Sequence, residues 1–99
     1  MRTKVEVTQF DIDLGIPGAC WRCPVALALQ RTLRSALRIQ VLPECISIQD
    51  EATYQIYYIN TPLEVERFIH VFDGHKPPWK AKPQTFEFDI HDELLRETP

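Results

Sequence analysis

Apolar residues recur along this chain at two spacings, and the spacings divide it into alternating elements. Residues 3–8 alternate, with Val5 and Val7 on one face and Lys4 and Glu6 on the other, which predicts a strand. Thr8 and Asp11 have the spacing of a capping box, with Asp in place of Glu or Gln. They predict one helical turn that carries Phe10, Ile12 and Leu14 into the core and stops at Gly15. Pro24 suits a first helical position, and Val25, Ala26, Leu29, Leu33, Ala36 and Leu37 form one stripe at helical spacing. The stripe predicts a helix from Pro24 to about Arg38, with Arg31, Arg34 and Arg38 on its opposite side beside Leu27.

Two alternating segments, 44–49 and 53–59, flank the polar tip at Asp50 and Glu51 and predict a hairpin. The register expected puts Ile46 and Ile48 on one face with Tyr54, Ile56 and Tyr58. Cys45, Ser47, Gln49, Gln55, Tyr57 and Ile59 then share the other. Thr61, Pro62 and Glu64 combine an N-cap, a first-position proline and a capping-box acid. Val65, Phe68, Ile69 and Phe72 form the buried stripe of the helix they open, and Asp73 and Gly74 end it. Residues 75–84 hold His, Lys and Pro and are expected to be extended. Residues 85–91 read as a last strand with Phe86, Phe88 and Ile90 inward and Glu87 and Asp89 outward, followed by a short tail. The order is β-α-β-β-α-β, an α+β class. The expected architecture for residues 1–99 is one domain with a four-stranded, mainly antiparallel sheet and both helices on one face, the ferredoxin-like topology. One sheet face is then uncovered, wet or an interface, and a homodimer through it is one expectation.

Composition narrows the class. Ninety-nine residues with 25% charged and 44% apolar positions suit one small globular core. No apolar run is long enough to span a bilayer, so no membrane partner is expected, and the N-terminus lacks the apolar core of a signal peptide. Three cysteines leave at least one unpaired in a monomer, which fits a reducing cytoplasm. The net charge of −3 conceals segregation. Between Leu14 and Pro43 there is no acid, and Arg22, Arg31, Arg34 and Arg38 are the charges. Residues 44–73 hold six acids against Arg67 alone, and Lys76, Lys80 and Lys82 follow around Trp79. Blocks of this kind make patches of opposite sign or neutralise one another within the fold.

Chemistry enters through Cys20-Trp21-Arg22-Cys23-Pro24. Cys23 falls at a helix N-cap, where free N–H groups, the helix dipole and Arg22 all favour a thiolate, so a lowered pKa and a redox dithiol are one reading. The element order lacks what a thioredoxin-type fold needs, and helix capping and packing by the two cysteines is the plainer reading. A structural zinc would need two further ligands from Cys45, His70, His75 and His91, and no second Cys-x2-Cys pair supplies them. Arg22, Arg31, Arg34 and Arg38, with Leu27, and Lys76, Trp79, Lys80 and Lys82 are the candidate partner-binding residues. An acidic protein surface is the partner they fit best, and single-stranded nucleic acid is the alternative, against which the acidic pI near 5.5 weighs. No Gly-x-Ser-x-Gly, His-Glu-x-x-His or glycine-rich phosphate loop is present, so neither an enzyme nor a cofactor is expected.

Four stretches together look familiar. The strand with Asp11-Ile-Asp-Leu-Gly15, the run from Cys20 through Pro24 to Leu29, and the segments 61–73 and 86–90 resemble small uncharacterised proteins encoded by bacteriophages. The likeness covers about residues 5–90 without the hairpin, and its motifs are structural. What it implies is a small viral accessory protein, made in the host cytoplasm, that binds and redirects a host protein.

Overall fold

The computed structural model describes residues 2–74 and 81–96. Its α+β class is as expected. In chain order the elements are β1 (Arg2–Val7), α1 (Gln9–Leu14), α2 (Pro24–Thr32), β2 (Leu37–Val41), β3 (Cys45–Asp50), β4 (Ile56–Asn60), α3 (Leu63–Asp73), β5 (Gln84–Asp89) and a 3-10 turn, Asp92–Leu94. Among the described residues no helix is long and apolar enough to cross a membrane.

The strands form two antiparallel sheets, not one sheet of four. β1 pairs with β5, with Val5 opposite Phe86, and β2, β3 and β4 form a meander. The ferredoxin-like expectation fails at residues 33–41. The helix that the apolar stripe extends to Arg38 ends at Thr32, and Leu37, Ile39 and Val41 alternate as a strand that the sequence reading missed. The stop has no Gly or Pro. It comes from tertiary contacts: Leu33 bridges to Leu95, the Arg34 N–H donates to the Leu94 carbonyl, and Ala36 takes a left-handed φ of 62°. With β2 in place, α2 leads into a meander instead of crossing over to a parallel strand.

The hairpin register also differs, and one residue flips every side chain. The Asp50 carboxylate accepts the Ala52 and Thr53 N–H groups, and Tyr54 takes a φ of 63°, so the turn runs on to Gln55. Ile46 therefore lies opposite Ile59 and Ile48 opposite Tyr57. Tyr57 and Ile59 share the inner face, while Ile56 and Tyr58 face outward at 46% and 65% exposure.

Other local expectations divide in the same way. Thr8 and Asp11 form the full capping box of α1, but only Ile12 of its three apolar residues is buried, because residues two apart on a helix point to opposite sides. Phe10 and Leu14 face solvent. Gly15 caps α1 where a Cβ would stand 2.7 Å from the Pro24 Cδ, so the close approach of the two helices needs glycine. α3 begins at Leu63 with no side-chain cap. The Thr61 hydroxyl donates instead to the Leu42 carbonyl, so the expected capping box is not formed. Its stripe of Val65, Phe68, Ile69 and Phe72 is buried as expected, and Phe68 meets Phe86 of β5 edge to face.

A single core of aliphatic and aromatic residues joins both sheets to α2 and α3. Into it runs one carboxylate, Asp11, which is 1% exposed. It accepts the Thr8 N–H and two bonds from the Arg31 guanidinium at 2.6 and 2.9 Å, and Arg31 also donates to the Glu6 carbonyl. The fork ties β1, α1 and α2 together. Removing one partner leaves a buried carboxylate short of donors, at a cost of about 2–3 kcal/mol. Urea unfolding should show that loss for Arg31→Ala, whereas the exposed Arg38→Ala should stay within about 0.5 kcal/mol of the parent. Equal stability of the two variants would refute this role for Arg31.

Candidate functional site

Among the described residues, the arginines expected on one face of α2 are not gathered there. Arg31 is held by Asp11. Arg34 donates to Asp50 at 2.6 Å and to the Glu93 carbonyl at 2.6 Å, clamping the end of α2 to the hairpin turn and to the 3-10 turn. Arg38 is not on α2 at all but exposed on β2. Arg22 is exposed in the turn before α2, and Leu27 is half-buried on α2. Lys82 is exposed ahead of β5, and Lys76, Trp79 and Lys80 lie outside the described residues. The acid-free block found its carboxylates from elsewhere in the chain, which spacing along one helix does not reveal.

These pairs have a titration signature. Burial alone would raise the Asp11 pKa, but hydrogen bonds from Arg31 and Thr8 and the Arg31 charge hold it below the usual carboxylate value. Arg34, with the Ala52 and Thr53 N–H groups, lowers Asp50 in the same way. A depressed folded-state pKa gives stability that is complete above the unfolded value, near 4, and is lost as pH falls through the folded one. The melting temperature should therefore fall as pH drops below about 4, and more gently in Asp11→Asn than in the parent. An acid limb of the same slope in both would contradict the assignment.

The CxxC segment is a structural clamp. Cys23 caps α2 as expected, its Sγ accepting the Ala26 N–H at 3.4 Å. Its pKa is raised, not lowered. With the residue 2% exposed, burial outweighs the N–H groups of Ala26 and Val25, and Asp73 adds a nearby negative charge that sequence spacing could not show. A buried, protonated thiol is a poor nucleophile. The Cys20 carbonyl accepts the Val41 N–H of β2, and the Gly18 N–H donates to Asp73 at the end of α3. Cys20, Cys23 and Cys45 are free thiols. Among the described residues no group of three His, Cys, Asp or Glu side chains could hold a metal ion.

The clamp makes the edges of the meander unequal. The Asp50 N–H donates to the Gln55 carbonyl, which fixes the phase of the β3–β4 ladder: Gln55, Tyr57 and Ile59 turn their backbone groups to β3. Ile56, Tyr58 and Asn60 then turn theirs outward. On the opposite strand, β2, the outward N–H of Val41 is taken by Cys20. Among the described residues no strand pairs with the outer edge of β4. That edge also lacks the usual protection, since residues 52–63 carry no charge, and within the strand there is no Pro.

A cleft of about 820 Å³ opens beside this edge. One wall is residues 58–64, from β4 into the first turn of α3, and the other is Glu87, Asp89 and residues 90–93, with Arg2. Glu64, Glu87, Asp89, Asp92 and Glu93 bring five carboxylates to it, and the guanidinium of Arg2 is paired with Glu87 at 2.8 Å. Tyr57, on the inner face of β4, packs at a tilt against His91 of the second wall, 5.2 Å between ring centres. Sequence reading missed this site. The uncharged run before an acidic helix start was its signal, but the faces of the hairpin were assigned the other way round. The chain matches no protein-family model, no curated protein and no solved structure.

Proposed function

We propose that the protein is a binding module that acts by contact and not by catalysis, and that it docks its partner in the cleft beside β4. The observation that supports this most is the open, uncharged edge of β4, with Tyr58 and Ile56 exposed next to it. An edge strand left unguarded is a template for pairing, and a partner that covers it removes the hazard of self-association. Tyrosine beside a polar rim is also the composition of interface centres. The partner proposed is a host protein, in the setting that the phage resemblance implies, with the protein as a viral accessory factor in the host cytoplasm.

The cationic route to an acidic partner is weaker than the sequence suggested, because Arg31 and Arg34 are engaged internally. The nucleic-acid reading loses the same two cations, and the cleft itself would repel phosphates.

Site-specific photo-crosslinking in host cells tests the location. A benzoylphenylalanine in place of Tyr58 should give a discrete adduct, whereas the same group in place of Phe10 or Trp21, both exposed elsewhere, should not. Adducts from Phe10 or Trp21 and none from Tyr58 would move the docking surface away from the cleft.

A further inference from the structure

We propose that the cleft takes an extended, lysine- or arginine-bearing segment of its partner, which adds to β4 as a fourth strand of the meander. This rests on the docking reading and names its partner class. Three features carry it. The ladder phase leaves the N–H and C=O groups of Ile56, Tyr58 and Asn60 directed away from β3, so an incoming backbone meets donors and acceptors at alternate residues. The cleft opens at the C-terminal half of β4, at Tyr58–Asn60, and gives the end of an added strand somewhere to lie. Its rim is acidic, with Glu64 at the start of α3 and Glu93 in the 3-10 turn on opposite walls. Backbone pairing then supplies the affinity common to any extended segment, and the carboxylates select the side chains that project beside it.

Charge also decides against a second copy of the chain as occupant. Two such clefts brought edge to edge would set carboxylates against carboxylates, in a chain whose net charge is already −3. A basic segment meets the same rim with opposite sign.

Four synthetic octapeptides test the proposal by amide shifts of the 15N-labelled protein. The first alternates lysine and valine, and the second alternates glutamate and valine. The third and fourth repeat the first with its lysine amides or its valine amides N-methylated. The lysine peptide should shift and protect the Ile56, Tyr58 and Asn60 amides and should weaken at high salt. One N-methylated peptide, the one blocked on the pairing edge, should bind about tenfold or more weakly, and the other should bind nearly as the parent does. The double variant Glu64→Lys, Glu93→Lys should weaken the lysine peptide by at least about tenfold.

Equal binding of both N-methylated peptides would overturn strand addition. Equal or tighter binding of the glutamate peptide at the same amides would overturn the basic partner while leaving the cleft as the docking site. No shift from any peptide, with the Tyr58 photo-adduct still formed, would likewise sink this inference alone. No shift and no adduct would sink both readings. A concentration-dependent dimer abolished by Tyr58→Lys would make a second copy the occupant and overturn the proposal.

Discussion

A carboxylate buried in an apolar core must find donors, and Asp11 finds them in Thr8, the N-cap of α1, and in Arg31 of α2. Thr8 closes the capping box of α1, and Arg31 reaches from α2 to the same carboxylate and to the Glu6 carbonyl of β1. The far side of the residue is used too, since the Arg31 carbonyl accepts a bond from Arg96 near the C-terminus. The N-terminal strand, the first two helices and the tail are thus referred to one ion pair. Without it, α1 would be a six-residue helix with two of its three apolar side chains in water, too short to persist by its own propensity. Arg34 and Asp50 repeat the device just beyond the same end of α2, and there it sets both the end of the helix and the shape of the hairpin turn.

This internal use of arginine shapes the surface. Two of the four arginines of the positive block are paired with acids from α1 and the hairpin, while Glu64 of α3 and Glu93 of the C-terminal turn line the cleft beside β4. Edge management follows a similar division. Along β1 and β5 the outward positions carry charges, Lys4 opposite Glu87, and β2 is covered at Val41 by the turn of the CxxC segment. β4 has neither defence. The same cysteine-bearing turn that reads as redox chemistry in the sequence is, in the fold, what caps the outer side of β2 at Val41.

Much of this was legible where the signal is local. The α3 stripe, the alternation of Phe86 and Phe88, the Thr8–Asp11 box and the Cys23 cap each depend on residues within a few positions of one another. What was not legible depends on distant partners. Leu33, Ala36 and Leu37 continue a helical stripe, while Leu37, Ile39 and Val41 form a strand alternation over nearly the same residues. Only the contacts of Leu33 and Arg34 with the C-terminal segment decide between them. The hairpin register turned on the Asp50 side chain and a left-handed Tyr54, neither of which periodicity encodes. The cleft inherited that error, because a one-residue slip hid Tyr58 in the core and brought Tyr57 out.

The central claim is that β4 is bonded on one side and open on the other. Amide hydrogen exchange, read residue by residue along this strand in the unliganded protein, tests it most directly. Tyr57 and Ile59, whose N–H groups turn to β3, should exchange slowly, and Ile56, Tyr58 and Asn60 should exchange close to the rate of an unprotected chain. Even protection along all five residues would contradict the account, since it would mean that the outer edge is already paired.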